Sequence, residues 1–577
     1  MPATATPLSL TRFRTLSEAL LAAPPNQPFA TMWQGEGESE SVTFGEFTNW
    51  AKAEAAYFRG QGLQYGDTVI LIMPQGVPLM TAFAGAMLLG AVPAILAYPT
   101  FKVDPAKYRF GLAGVSANLR AKLIVLYESF PEELLQCVSL TGQSRLLRSG
   151  ARPKSRVEPA DLPEADPDHV AFIQHSAGTT GLQKGVALSH AAVLRQLSHL
   201  ASALSVGPQD RIYSWLPLYH DMGLIACFIL PMVCHLAIVM QSPSDWVMHP
   251  GSMLQLISEY RCSLTWIPNF AYQFVSRRVD PEDYPGLNLD SLRALINCSE
   301  PVRASSMDEF FEAYKNHGLR REALQACYAM AENVFAVTQS GINGKSGPCR
   351  ITVDGDKFYS DRIVVPVRAD HSRALCLMSS GQCLPENHVR IANANGEDLP
   401  EGAVGEILIR SDSMLEGYYN RPDLTAQALR DGFYWSGDVG FCLDRELYVV
   451  GRKKDLIIVA GKNIYPQDVE EIAFGHPAIH DGRAVAFGLY NRDLGTEDIV
   501  VVAEVTDEEQ LKNPLPIESA IRNAVVGELG VSVRAVYLKP PRWIVKSTAG
   551  KSARATTREK LISEHPELQR DGNGANR

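Results

Sequence analysis

Residues 174 to 190 read Gln174-His175-Ser176-Ala177-Gly178-Thr179-Thr180-Gly181-Leu182-Gln183-Lys184-Gly185-Val186-Ala187-Leu188-Ser189-His190. The apolar run Val170-Ala171-Phe172-Ile173 leads into a loop of small residues and hydroxyls, and one lysine closes it. Gly178, Gly181 and Gly185 let the backbone approach a ligand closely, and successive exposed N–H groups in such a loop form a nest for anions. Ser176, Thr179 and Thr180 add hydroxyl donors and Lys184 adds positive charge, a set suited to a polyphosphate. The loop is not a Walker A loop, in which the lysine is followed by a hydroxyl residue for Mg2+; here Gly185 follows Lys184. A Gly/Thr-rich surface turn has the same composition, so the loop alone leaves both readings open.

Upstream of it, helix-like and strand-like segments alternate. Ser41 to Phe58 reads as a strand and an amphipathic helix, Thr68 to Met73 as a buried strand, Leu79 to Leu89 as an apolar helix, and Ala91 to Leu96 and Lys122 to Leu126 as further strands. Such alternation predicts a doubly wound α/β sheet. The Pro-, Arg- and Asp-rich stretch Ser149 to Asp168 reads as a linker.

Downstream, the strand-like Arg211 to Leu216 runs into Pro217-Leu218-Tyr219-His220-Asp221-Met222-Gly223. A His-Asp pair at a strand's carboxyl end sits where α/β folds take ligands, although a buried, satisfied histidine fits the same pattern. No Gly-x-Ser-x-Gly elbow accompanies it. The aromatic-rich Leu264 to Phe274 is core or the wall of an apolar pocket. Leu292 to Ile296 reads as a strand ending in Asn297-Cys298-Ser299-Glu300, and Ala326 to Glu332 ends another with a lone carboxylate. From Gly341 the pattern turns loop- and strand-rich, and Tyr434-Trp435-Ser436-Gly437-Asp438 offers a carboxylate in a tight turn. The charged break Gly451-Arg452-Lys453-Lys454-Asp455 marks the expected main domain boundary, with residues 1–453 before it and 454–577 after it. The second part mixes helix (Pro466 to Phe474) and strand, and carries the glycine turn Lys546-Ser547-Thr548-Ala549-Gly550-Lys551. The polar tail after about His565 is expected to be disordered.

Bulk properties narrow the class. With 577 residues, 46% hydrophobic and 20% charged, the chain has ample core for several domains. A net charge of −10 and the lack of a basic run argue against nucleic acid. The ten cysteines form neither C-x-x-C pairs nor zinc-spaced clusters, which points to a reducing compartment and away from disulfides. Arg12 and Arg14 precede only Ala19 to Ala23 before Pro24-Pro25, too short for a signal peptide's apolar region. Met222 to Met240, broken by Pro231 and His235, is expected to be a buried helix pair rather than a membrane span. A cytoplasmic protein is expected.

Taken in order, the glycine loop, His220-Asp221, Tyr328-x-x-x-Glu332, Ser436-Gly437-Asp438, Gly451-Arg452-x-Lys454-Asp455 and Gly550-Lys551 resemble the adenylate-forming superfamily over nearly the whole chain. Trp215 to Ile225, Pro268 to Tyr272, Glu300-Pro301-Val302-Arg303 and Ile457 to Asp468 look most like its fatty acyl-AMP ligase branch. The segment between Glu332 and Gly381 is similar to an insertion of that branch associated with acyl transfer to a carrier protein rather than to coenzyme A.

The resemblance implies an α/β fold: two doubly wound α/β subdomains and a β-rich subdomain in a large N-terminal adenylation domain, then a small mobile α+β C-terminal domain hinged near Lys454. It implies ATP as substrate with Mg2+, a fatty acid, and a phosphopantetheine carrier protein or coenzyme A as acceptor. Ser176, Thr179, Thr180, Gly181 and Lys184 would hold the β- and γ-phosphates, and Glu332 with Thr180 the Mg2+. Asn297, Cys298, Ser299, Glu300 and Tyr328 would line the adenine pocket. Asp438 would accept the ribose hydroxyls beside Arg452, Lys551 would bridge carboxylate and α-phosphate, and His220 would belong to the catalytic set. Departures from the family pattern are Ala177, Gln183, Ala329 and Ala549, none of which removes a charged group. An acyl-CoA synthetase of the same fold is the second reading, and a non-catalytic acyl or nucleotide sensor the third.

Overall fold

The computed structural model describes residues 10, 12–35, 39–99, 105–149, 162–175, 183–341, 347–491, 494–546 and 552–570. Its largest sheet has nine strands, in the order Ser39–Thr43, Pro28–Trp33, Ala237–Met240, Arg211–Ser214, Leu264–Ile267, Ala294–Asn297, Leu324–Ala329, Ala336–Gln339 and Gln382–Cys383. The pairings from Pro28–Trp33 through Leu324–Ala329 are parallel, and those at both margins are antiparallel. The central strands are buried along their lengths, as expected when helices cover both faces. A second, all-parallel sheet runs Val92–Ile95, Thr68–Ile72, Leu123–Tyr127 and Arg145–Ser149.

Local chemistry explains the elements. The helix Phe44–Gly60 starts at a capping box, with Thr43 accepting from the Glu46 amide and Glu46 reaching back to Thr43. It packs tightly on the helix Val77–Leu88: a Cβ at Gly85 would stand 2.7 Å from the Ala51 carbonyl oxygen. That contact buries the Glu54 side chain, and burial pushes its carboxyl up to about 7.

Two stretches depart from expectation. Met222 to Met240 is one broken helix followed by a strand, not a helix pair. A π-helix, Met222–Ile229, continues as Leu230–Cys234, and His235 ends it at φ +56°. The β-branched residues of Ala237–Met240 then fill a place between two parallel neighbours. The chain is ordered past His565 as far as Arg570, because Leu568 of the short helix Glu567–Arg570 is buried against Val485, Val500 and Leu561; residues 571–577 lie outside the described residues. Of the expected linker, residues 150–161 lie outside the described residues. Among the described residues no helix is long and apolar enough to cross a membrane.

A five-stranded antiparallel sheet, including Gly405–Arg410, Phe433–Leu443 and Glu446–Arg452, forms the β-rich part. After it come the hairpin Ile457–Val459 with Lys462–Ile464 and a three-stranded sheet, Ile479–Asn491, Thr496–Val505 and Val533–Lys539. The helices Pro466–Phe474, Leu515–Leu529 and Arg554–Glu564 accompany that sheet. Between Gly341 and Ser380 the chain forms a separate hairpin, Arg350–Asp354 with Ala374–Met378, and a π-turn Lys357–Asp361. Val353, Phe358 and Tyr359 of this segment share one core with Phe441, Tyr448, Tyr465 and Val469.

Candidate active site

The carboxyl ends of the parallel strands deliver several of the expected residues. Leu324–Ala329 supplies Tyr328, Ala294–Asn297 leads into Cys298, Ser299 and Glu300, and Arg211–Ser214 leads through Pro217 to His220. The long strand Phe433–Leu443 brings Asp438 opposite Arg452 in register. The Asp438 carboxylate is buried, accepting the Tyr328 hydroxyl at 2.6 Å on one oxygen and facing Arg452 Nε at 3.1 Å on the other. Burial and the Asp438 charge both push the Tyr328 hydroxyl up. Asp438 in turn raises Arg452, which stays cationic. A carboxylate offers about four lone-pair directions, and two are used here. The remainder suits a vicinal diol.

A second carboxylate, Glu332, accepts the Tyr418 hydroxyl at 2.8 Å, and Tyr418 meets the Tyr434 hydroxyl at 3.1 Å. Lys184 lies over the Tyr418 ring, 4.5 Å from its centroid. Long-range pairing makes this meeting: Gly417–Tyr418 joins Gly185–Ser189 as an edge strand, setting Tyr418 beside Val186. Sequence reading missed Tyr418 and Tyr434, which carry no motif of their own. Burial, with Arg452 and Lys184 nearby, pushes the Lys454 ammonium down. Cationic Lys184, Arg452 and Lys454 therefore share one neighbourhood with Glu332 and Asp438.

At the loop's entrance, His175 is buried with neither ring nitrogen hydrogen-bonded among the described residues, and burial pushes it down to about 4. It is neutral at physiological pH. Gly185, its partner across the hairpin, is required to be small, since a Cβ there would come within 2.9 Å of Ile173. Ser176, Thr179, Thr180 and Gly181 lie outside the described residues, as does Lys551. Lys546, just before that turn, is half-buried, and loss of hydration together with the nearby Arg483 charge pushes its ammonium down to about 8, against the opposing charges of Glu300 and Glu504. Lys546 thus feels the charge of Glu300.

Within that segment the residues differ in placement. Asn297 and Cys298 are fully buried beneath the site, whereas Ser299 and Glu300 are half-buried. Asn297 Nδ2 donates to Asn269 Oδ1 at 2.8 Å, and its own Oδ1 has no partner. Glu300 accepts the Phe270 amide at 3.0 Å, and Ser299 takes φ +73°. His220 Nδ1 faces Asp221 Oδ1 at 2.7 Å, and Asp221 also accepts the Met222 amide. The turn needs Gly223, where a Cβ would fall 2.3 Å from the Pro217 carbonyl oxygen. Beside it the indoles of Trp215 and Trp246 stack in parallel, 3.8 Å between centroids, with Phe270 and Phe274 against Trp246. An apolar aromatic wall therefore adjoins the charged cluster through Phe270.

A family model described as AMP-binding enzyme matches residues 18–419. The chain is 29% identical over 557 residues to the medium-chain-fatty-acid–[acyl-carrier-protein] ligase JamA of Moorena producens, covering 92% of each. It is 28% identical to the long-chain-fatty-acid–AMP ligase FadD32 of Mycobacterium marinum, over 91% of this chain and 90% of that one. Among solved structures, one from work on fatty acyl-adenylate ligases from E. coli and L. pneumophila superposes with a TM-score of 0.86 at 28% identity, covering 97% of this chain and all of that one. The L. pneumophila ligase in complex with acyl adenylate and pyrophosphate gives 0.73 at 27% identity, covering 96% of this chain and 98% of that one. With its mixed α/β architecture and a family match over most of its length, this chain belongs to the AMP-binding enzymes, the adenylate-forming superfamily.

Proposed function

We propose that the protein is a fatty acyl-AMP ligase that passes its acyl group to a phosphopantetheine carrier. A fatty-acid carboxylate oxygen attacks the α-phosphorus of ATP; the new P–O bond forms as the bond to the β,γ-bridge breaks, and pyrophosphate leaves with that electron pair. A carrier thiolate then attacks the acyl carbon and expels AMP. Two anions meet in the first step, so the protein's task is charge neutralisation and alignment.

Asp438 takes the ribose hydroxyls, held at a fixed angle by Tyr328 and Arg452. Lys184, with Ser176, Thr179, Thr180 and Gly181 of the loop, takes the β- and γ-phosphates, and Lys551 meets the charge that develops between carboxylate and α-phosphate. Glu332, half-satisfied by Tyr418, is the protein oxygen suited to Mg2+, which would neutralise phosphate charge; Thr180 is its expected companion. Among the described residues no three His, Cys, Asp or Glu side chains converge on a metal position. An ion there would draw its other ligands from phosphate and water, a habit of Mg2+. His220, oriented by Asp221, borders the acyl entrance, and the Trp215–Trp246 wall suits an aliphatic tail.

The boundary is assigned at residues 453/454, with Lys454 the hinge of a C-terminal domain that turns between the two steps. The hairpin segment favours the carrier over coenzyme A, because its Tyr359 donates to Asp468 at 2.9 Å and so ties the two parts together. We place the protein in a cytoplasmic setting from its cysteine usage, since none of the ten, all among the described residues, joins a disulfide. The observation that carries the reading is the buried Asp438 carboxylate, shared by Tyr328 and Arg452, together with Glu332 and Lys184 meeting on Tyr418.

The test supplies ATP, Mg2+ and fatty acids of graded length, with coenzyme A or a holo carrier protein added separately. Pyrophosphate release and hydroxylamine-trapped acyl-AMP report the first step, and thioester the second. Fatty-acid-dependent pyrophosphate release with thioester only on the carrier is expected. Equal acyl-CoA formation would replace the reading with an acyl-CoA synthetase, and no carboxylate-dependent release would leave a sensor.

A further inference from the structure

Arg303 stands three residues beyond Glu300 and reaches away from the site, to the helix Pro466–Phe474. Its guanidinium spans two carboxylates one turn apart on that helix, Asp468 Oδ1 at 2.9 Å and Glu471 Oε2 at 2.9 Å. The other oxygen of each carboxylate is also taken: Tyr359 donates to Asp468 at 2.9 Å, and Ser305 donates to Glu471 at 3.1 Å. The Arg303 and Asp468 side chains are 18% and 13% exposed, so the pair is largely shielded from water, unlike the outlying Arg277–Asp481 contact at 41% and 40%. Shielded, forked pairs hold geometry far better than exposed ones.

The backbone side of Arg303 is tied inward. Its amide donates to Asn269 Oδ1 at 3.1 Å, the same oxygen that accepts Asn297 Nδ2 at 2.8 Å, and Asn269 Nδ2 donates to Ser306 at 3.0 Å. Asn297 ends the strand that delivers residues 298–300. One hydrogen-bonded chain, Asn297–Asn269–Arg303–Asp468, therefore runs from beneath the candidate nucleotide segment to the helix that starts the α+β part of the chain.

We propose that Arg303 is a positioning residue for adenylate formation: it docks the helix Pro466–Phe474, and with it the part of the chain bearing Lys551, against the nucleotide segment. The inference rests on the acyl-AMP ligase reading of the site. Arg303 touches no reacting atom; it acts through Lys551. Docking is needed only in the first step, so loss of the fork slows adenylate formation, spares ATP binding, and leaves thiol attack on preformed acyl-AMP intact or faster.

The test compares the full chain with Arg303→Ala, Arg303→Lys and the reversed pair Arg303→Asp with Asp468→Arg. Three quantities are read: amide hydrogen exchange of the helix Pro466–Phe474, kcat and ATP KM for hydroxylamine-trapped acyl-AMP, and single-turnover transfer from preformed acyl-AMP to N-acetylcysteamine. For Arg303→Ala we expect faster exchange in that helix and a kcat loss of about tenfold or more, the scale on which breaking a shielded ion pair acts. KM and transfer should hold. Arg303→Lys, with charge but no fork, should fall between, and the reversed pair should recover part of the kcat. Wild-type kcat in Arg303→Ala, unchanged exchange, or equal loss of both half-reactions without recovery in the reversed pair would each overturn the role. A wild-type chain that forms no acyl-AMP from any fatty acid would overturn the ligase reading itself, and the role with it.

Discussion

Asp438→Asn gives the sharpest test of the ribose assignment. The substitution preserves volume at a buried position and leaves one oxygen for Tyr328 or Arg452, while the new NH2 opposes whichever donor remains. Arg452 is about half exposed, so water replaces its lost counter-ion at little cost to stability. What disappears is the ionised acceptor for two hydroxyls. Hydrogen bonds to charged groups are worth about 1.5–3 kcal/mol each. If one of the two is lost outright and the other is kept by the amide oxygen, ATP affinity should fall roughly 10- to 150-fold. The assay is calorimetric titration of wild type and variant with ATP and with 2′,3′-dideoxy-ATP, a cycle in which protein and ligand each lose one side of the contact. Wild type should prefer ATP strongly, and Asp438→Asn should prefer it at least about tenfold less, keeping only the contact of the amide oxygen. If the variant penalises dideoxy-ATP as heavily as wild type does, Asp438 does not hold the ribose and the assignment is wrong.

Lys551→Ala should lower acyl-AMP formation by about a hundredfold or more while ATP binding by calorimetry stays within about threefold, since its charge acts only as the transition state develops. Glu54→Gln should alter stability with pH. The Glu54 carboxyl sits at about 7 in the fold against its ordinary 4.5, so the folded chain holds the extra proton and wild-type stability falls as pH rises from about 4.5 to 7. Above that window the variant should be more stable by up to about 3 kcal/mol by denaturant unfolding; equal stability at pH 8 would mean that the carboxyl is solvated. His175 gives the opposite sign: held at about 4 by burial, it should cost stability as pH drops from about 6.5 to 4, and His175→Phe should flatten that limb of an acid-unfolding curve. Deleting the tip around Asp354 to Asp361 should raise acyl-CoA formation relative to acyl-AMP, and an unchanged product ratio would free the hairpin of any part in acceptor choice.

What the sequence makes legible follows a physical division. Thr68–Ile72 and Pro466–Phe474 are readable because a short β-branched apolar run and a helix-start proline are local signals. Tyr328, Glu332, Asp438 and Arg452 are readable through motif spacing, and the pairing of Asp438 with Arg452 follows from two adjacent strands. Tyr418 is not, since it reaches Glu332 only after Gly417–Tyr418 pairs with a strand more than two hundred residues earlier. Arg303 stands out in the sequence only as part of a family stretch; its partner Asp468 lies 165 residues on, and no periodicity links them. The strand Ala237–Met240 reads as helix because a continuous apolar run has no period to follow. Its neighbours in the sheet decide it.

The hairpin between Gly341 and Ser380 has a consequence for temperature. Phe358 and Tyr359 are covered by Tyr465 and Val469, which lie beyond residue 454 in the chain, and a two-stranded ribbon by itself is marginal in water. Any motion that parts the seam wets these side chains, and wetting apolar surface carries a positive heat capacity. Hydrophobic closure of this kind weakens on cooling. The seam is therefore a thermal element of the molecule, and its open fraction should climb in the cold.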